Sequence, residues 1–170
     1  MAYLREIITE GHPTLRKVAR RVDPREIGDP LFQQLIDDMF ETMYAAPGVG
    51  LAAPQVNVPK RLFVMDVHDD EHEPAVVINP RIESAADEIE LREGCLSVPG
   101  MVGEIVRYER IAVSGLDRHG RKIRIEGEGL LAQCLQHEID HLNGTLYVDR
   151  AKNVRPVGEE SEEEPEAAQA

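Results

Sequence analysis

GLLAQCLQHEIDHL, residues 129–142, decides how the chain is to be folded. It reads as a long helix. Leu131, Cys134 and Leu135 fall together on its core side, and Gly144 stands where a C′ glycine ends a helix. Upstream lie runs of strand character: Arg61–Val67, Ala75–Ile82, Ile89–Val98, Ile105–Asp117 and Arg121–Gly127. The last two flank Arg118-His119-Gly120, a turn signature, so a hairpin is expected there. Further back, Asp29-Pro30 supplies an N-cap and a first-turn proline. Behind it Leu31, Phe32, Leu35, Ile36, Met39, Phe40, Met43 and Tyr44 form one stripe, predicting a helix from Pro30 to about Ala46 that Pro47-Gly48 stops. Pro13 opens a shorter helix through Arg20. Helix, strands and helix, with no β-α-β alternation, predict an α+β fold: mixed or antiparallel β-structure packed around the C-terminal helix.

A chain of 170 residues with 42% hydrophobic residues can bury one core. No apolar run reaches the roughly 18 residues that span a bilayer, and MAYLREIITE lacks a signal-peptide h-region. A cytoplasmic, membrane-free protein is expected, with Cys95 and Cys134 as thiols, metal ligands or core residues. The net charge of −13 argues against direct nucleic-acid binding. Six glutamates and no Lys or Arg fall within Gly158–Ala170. Residues 151–170 are therefore expected to be a disordered acidic tail on a catalytic domain of residues 1–150.

In the C-terminal helix, His137 and His141 lie one turn apart on one face and can aim two imidazoles at one metal. Glu138 is rotated about 100° away and can serve a water beside the ion. Two histidines leave the site incomplete. A metallopeptidase continuation, H-x-x-G-x-x-H, is matched as far as Gly144 and then meets Tyr147. A downstream glutamate on a further helix would have to come from the EESEEE segment, which has no apolar face to dock it. Cys134 sits about 7.5 Å along the axis from the level of the metal, beyond a thiolate's reach. Cys95, in EGCLSVPG at the end of a strand-like run, completes a three-ligand set with one open position. The loop GVGLAAPQV, Gly48–Val56, permits close backbone approach, and Gln55 offers an amide donor to an oxyanion. Read alone, the same loop is equally a tight turn.

GVGLAAPQ, EGCLS and HEIDH, in this order and spacing, resemble the peptide deformylase family over nearly all of residues 1–150. The resemblance implies an α+β fold with a metal-bearing helix. It implies removal of the formyl group from N-formylmethionyl peptides during bacterial protein synthesis, usually with Fe(II), while Zn(II), Ni(II) or Co(II) can occupy the same site. Carried over by motif position, Cys95, His137 and His141 would hold the metal. Glu138 would be the catalytic acid/base, and the Gln55 amide with the Leu96 backbone N–H would form the oxyanion hole. Val49, Gly50 and Gly94 would border the peptide, Gly50 by letting its backbone come close. The resemblance also implies a monomer with at most transient ribosome contact, and not through the acidic tail. Pro47, Asn57 and Val102 depart from the residues many members carry at those positions. Two rivals are a peptidase cutting internal bonds, which lacks its third ligand, and a structural metal module, which would close its site with four ligands. An ion pair between Glu93 and Arg107 is expected to brace the Cys95 strand.

Overall fold

The computed structural model describes residues 1–159 and 168–169. Among the described residues, two α-helices and seven strands build an α+β fold. Helix α1 spans Pro30–Ala45, and the Asp29 carboxylate accepts the Leu31 N–H at 2.8 Å as its N-cap. Phe32, Leu35, Ile36, Met39 and Met43 form its buried face. Leu31 and Tyr44, at the two ends of the predicted stripe, are exposed.

The strands run β1 Gly50–Ala52, β2 Leu62–Met65, β3 Ala75–Cys95, β4 Val98–Leu116, β5 Lys122–Glu128, β6 Lys152–Pro156 and β7 Ala168–Gln169. The order is β1-β2-β3-β4-β5, with every neighbouring pair antiparallel. Off that path β6 pairs antiparallel with β4, and β7 pairs parallel with β3. Two runs expected as separate strands, 75–82 and 89–98, are joined. The intervening residues stay in register with β4, and the irregularities are absorbed as shifts at Ile78/Arg81 and Ile82/Ser84. The predicted hairpin is β4–β5, turned at Asp117–Gly120 with Gly120 at φ +79°.

Two boundaries are corrected. Pro13 starts only a 3-10 turn, Pro13–Arg16. Beyond it the chain extends, because the Ala19 N–H donates to the Leu142 carbonyl and the Arg20 N–H to Pro59. The domain does not end at residue 150. Lys152–Pro156 forms β6, with Met101 opposite Pro156 and Val102 opposite Arg155, so β4 keeps a partner along its start. The acidic run expected to be disordered falls at 160–167, outside the described residues.

Helix α2, Leu130–Leu142, packs on β4, β5, β1 and β2. Leu131, Leu135 and Leu142 enter a core with Phe63, Val77 and Val113. Gly129 precedes the helix at φ +60°, and Gly144 follows it at φ +75°, where a Cβ would stand 2.6 Å from the Arg16 carbonyl oxygen. Polar side chains pin the helix as well. Gln136 accepts the Tyr108 N–H at 2.9 Å and donates to the Tyr108 carbonyl at 2.8 Å, while Gln133 donates to the Arg92 carbonyl at 2.8 Å. Both α2 and the last residues of β3 are thereby held at fixed height, one over the other.

Candidate active site

Cys95 is the last residue of β3, opposite Val98 across the Leu96–Ser97 turn. The turn directs its thiol inward, and the Ser97 N–H lies 3.4 Å from Sγ. His137 and His141 face it from α2. Their Nε2 atoms are 3.1 Å apart, and His141 Nε2 is 3.4 Å from Cys95 Sγ. All three residues are buried, and the three donor atoms lie within 4.8 Å of one another.

These edges suit a metal. Two nitrogens and a thiolate on one tetrahedral ion stand about 3.4–3.6 Å apart. His137 Nδ1 donates to Glu93 Oε2 at 2.7 Å, which leaves its Nε2 lone pair turned toward the cluster. Two imidazole nitrogens and one sulfur fit Fe(II), Zn(II), Co(II) or Ni(II) far better than Ca(II) or Mg(II).

Glu93 is itself braced. Arg107 donates to its Oε1 at 3.0 Å and to Asp140 at 2.7 Å. Burial alone would raise the Glu93 carboxyl; His137 and Arg107 outweigh it and hold it at about 2. The same carboxylates hold the Arg107 guanidinium above its ordinary range, against the opposing effect of burial. The expected Glu93–Arg107 pair therefore exists, and it reaches the metal cluster through His137 and α2 through Asp140.

Gln55 is fully buried in the 3-10 turn Ala53–Val56. The Ala52 N–H donates to its Oε1 at 2.9 Å, which fixes the amide's orientation. Its Nε2 donates to Ser97 Oγ at 3.1 Å and lies 3.8 Å from Cys95 Sγ. The amide donor is thus aimed at the cluster, and Leu96 follows Cys95 directly.

The sequence profile described as polypeptide deformylase matches residues 4–157. The chain belongs to that family. A peptide deformylase from Symbiobacterium thermophilum is 52% identical over 162 residues, 95% of this chain and 73% of the relative. One from Hahella chejuensis is 52% identical over 88% of each chain. The crystal structure of a peptide deformylase from Legionella pneumophila superposes with a TM-score of 0.83 at 50% identity, covering 89% of this chain and 88% of the other. A Met-Ala-Ser-bound deformylase from Acinetobacter baumannii gives a TM-score of 0.84 at 33% identity, over 88% of this chain and 99% of its own. As a deformylase, the protein is a metal-dependent hydrolase that removes the formyl group from nascent peptides.

Glu138 follows His137 on α2. Its side chain is fully buried, and neither carboxylate oxygen has a hydrogen-bond partner among the described residues. Burial pushes its carboxyl up to about 8; nearby His137 pulls the other way, and Glu93 adds to the rise. Gly50 lies directly over it. A Cβ there would stand 2.8 Å from Glu138 Oε1 and 2.8 Å from Cys134 Sγ. The structure thus supplies a reason for this glycine beyond room for a peptide. Cys134 is no ligand: its thiol faces the Val49 carbonyl at 3.6 Å, and burial pushes its pKa well up. Gly94 sits in β3 opposite Val102, which is itself buried.

Sequence reasoning missed Ser97, Gln133, Gln136, Asp140 and Tyr147. Tyr147 is buried with its ring 6.3 Å from that of His137. Gln133, Gln136 and Asp140 recur at helical spacing around His137 on a largely buried helix, and that polar stripe is the signal that could have found them.

Proposed function

We propose that Cys95, His137 and His141 hold one Fe(II) ion and that Glu138 carries the proton for hydrolysis of N-formylmethionyl peptides. The observation that carries this reading is an unpartnered, buried carboxylate beside a three-donor cluster. An ion bound there would lower the pKa of a water from about 16 toward 7 and polarise the formyl carbonyl.

Glu138 then takes the water's proton. The same carboxyl returns it to the leaving amine as the carbon–nitrogen bond breaks, giving formate and a free N-terminus. Gln55 Nε2 and the Leu96 N–H meet the charge that develops on the formyl oxygen. Glu93 keeps His137 in the ligating tautomer. Val49, Gly50 and Gly94 border the peptide, whose backbone adds to the end of β3 as an extra strand. Main-chain recognition of this kind tolerates varied side chains after the methionine.

One chain supplies every group named, which supports action as a monomer. No helix among the described residues is long and apolar enough to cross a membrane. With bacterial relatives, this supports a cytoplasmic place of action. Ribosome contact would be transient and would not use the glutamate-rich tail, which RNA phosphates repel.

The test is Glu138→Gln, purified without oxygen. One metal per chain should remain, while formate release from formyl-Met-Ala-Ser falls about 10²–10⁴-fold. A near-normal rate would remove Glu138 from this role.

A further inference from the structure

The β7 segment sits where the proposed peptide would lie. Ala168 and Gln169 pair in parallel with Glu93 and Gly94, the two residues before Cys95. Other places on this edge could have received a strand. Strand β2 covers only Ala75–Ile78 of β3, and β4 takes the opposite side. From Arg81 to Leu91 the described strand pairings of β3 are those with β4. The chain's own C-terminal segment uses the last two positions beside the metal cluster instead.

We propose that Ala168–Gln169 competes with substrate from within the same molecule, by taking the strand position on Glu93–Gly94 that an incoming peptide needs. The inference rests on the assignment of Gly94 to the peptide groove. A backbone ladder is indifferent to side chains, so an edge that accepts varied peptides also accepts a segment of its own chain. Two residues of pairing are weak, since each hydrogen bond contributes roughly 1 kcal/mol net. Tethering makes the pairing intramolecular: only eight residues, 160–167, lie between Glu159 and the segment, so no second molecule has to be captured. While the segment occupies the groove a peptide cannot, so apparent KM rises as the reciprocal of the unblocked fraction: twofold when the groove is blocked half the time, tenfold when it is blocked nine-tenths of the time.

The test compares the full-length holoenzyme with the full-length variant A168P/Q169P, which lacks both N–H donors of the ladder. With formyl-Met-Ala-Ser, KM should fall roughly two- to tenfold in the variant, and kcat should not change. Tenfold dilution of the wild type should leave its KM unaltered; a concentration-dependent KM would mean that a second copy is the occupant and would overturn the proposal. Equal KM values in the two proteins would overturn it too.

Amide hydrogen exchange gives a readout without turnover. In the wild type, the amides of Ala168 and Gln169 should exchange more slowly than a free coil, and saturating Met-Ala-Ser should abolish that protection. Free-coil exchange without peptide, or protection that survives the peptide, would each refute the competition. Absence of formate release from both proteins would sink the hydrolytic reading instead, and the exchange result would still decide the place of the segment.

Discussion

Gly50→Ala tests whether the Glu138 carboxylate, the proposed proton carrier, is positioned by the strand above it. The added Cβ would lie 2.8 Å from Glu138 Oε1, 2.8 Å from Cys134 Sγ and 3.1 Å from Glu138 Cδ. Ordinary contact begins near 3.4 Å, so the two closest approaches are each 0.6 Å short (3.4 − 2.8). The helix below cannot yield easily, because Gln133 and Gln136 tie it to the Arg92 and Tyr108 backbones. The carboxylate must therefore swing aside. Displacing a catalytic group by about 1 Å costs roughly 10²-fold in rate. Overpacking costs about 1–3 kcal/mol of stability, or about 2–12 °C in Tm for a chain of this size. Formate release should show kcat down about 10²-fold with metal content unchanged. Gly115→Ala is the control: its Cβ would meet Val77 Cγ1 at 2.7 Å, so Tm should fall with kcat intact. Adding Cys134→Ala to Gly50→Ala removes one of the two clashes and should restore part of the Tm but little of the rate. Wild-type kcat in Gly50→Ala would show that Glu138 is not held in place by this strand.

The buried pair of Arg107 and Glu93 should be strongly coupled. Arg107→Met leaves a buried carboxylate unpaired and should cost about 3–5 kcal/mol in urea unfolding, with a 10–100-fold weaker metal in a chelator competition. A double-mutant cycle with Glu93→Gln should return at least about 0.5 kcal/mol of coupling, and zero coupling would dismiss the brace. At the N-terminus, Asp38 accepts N–H groups from Tyr3, Arg5 and Gln34. Burial opposes its ionisation, but these donors win and hold its carboxyl below the ordinary range. A depressed carboxyl stabilises fully above its unfolded value of about 4 and loses that contribution as pH falls through its native value. Asp38→Asn should thus be less stable than wild type at neutral pH, with the gap closing in acid; a gap independent of pH would rule out this linkage.

The sequence by itself determined the parts of this protein that depend on neighbours along the chain. Asp29-Pro30 and Gly144 mark helix ends because caps act within one turn. His137 and His141 share a face because 3.6 residues make a turn, and Asp117–Gly120 turns because its residues suit a tight reversal. Even the place of Cys95 beside the two imidazoles was legible, since the pair called for a third donor and the other thiol was out of reach. Tertiary structure alone decided what depends on partners far along the chain. Whether 75–95 is one strand or two was settled by the unbroken company of β4. Residues 152–156 became a strand because the start of β4 had an edge to offer, a fact absent from their own composition. Gly50 had to be glycine because α2 presents Glu138 beneath it, a contact spanning 88 residues (138 − 50). Helical and turn preferences are local energies, whereas edges, registers and close approaches exist only once distant segments have met.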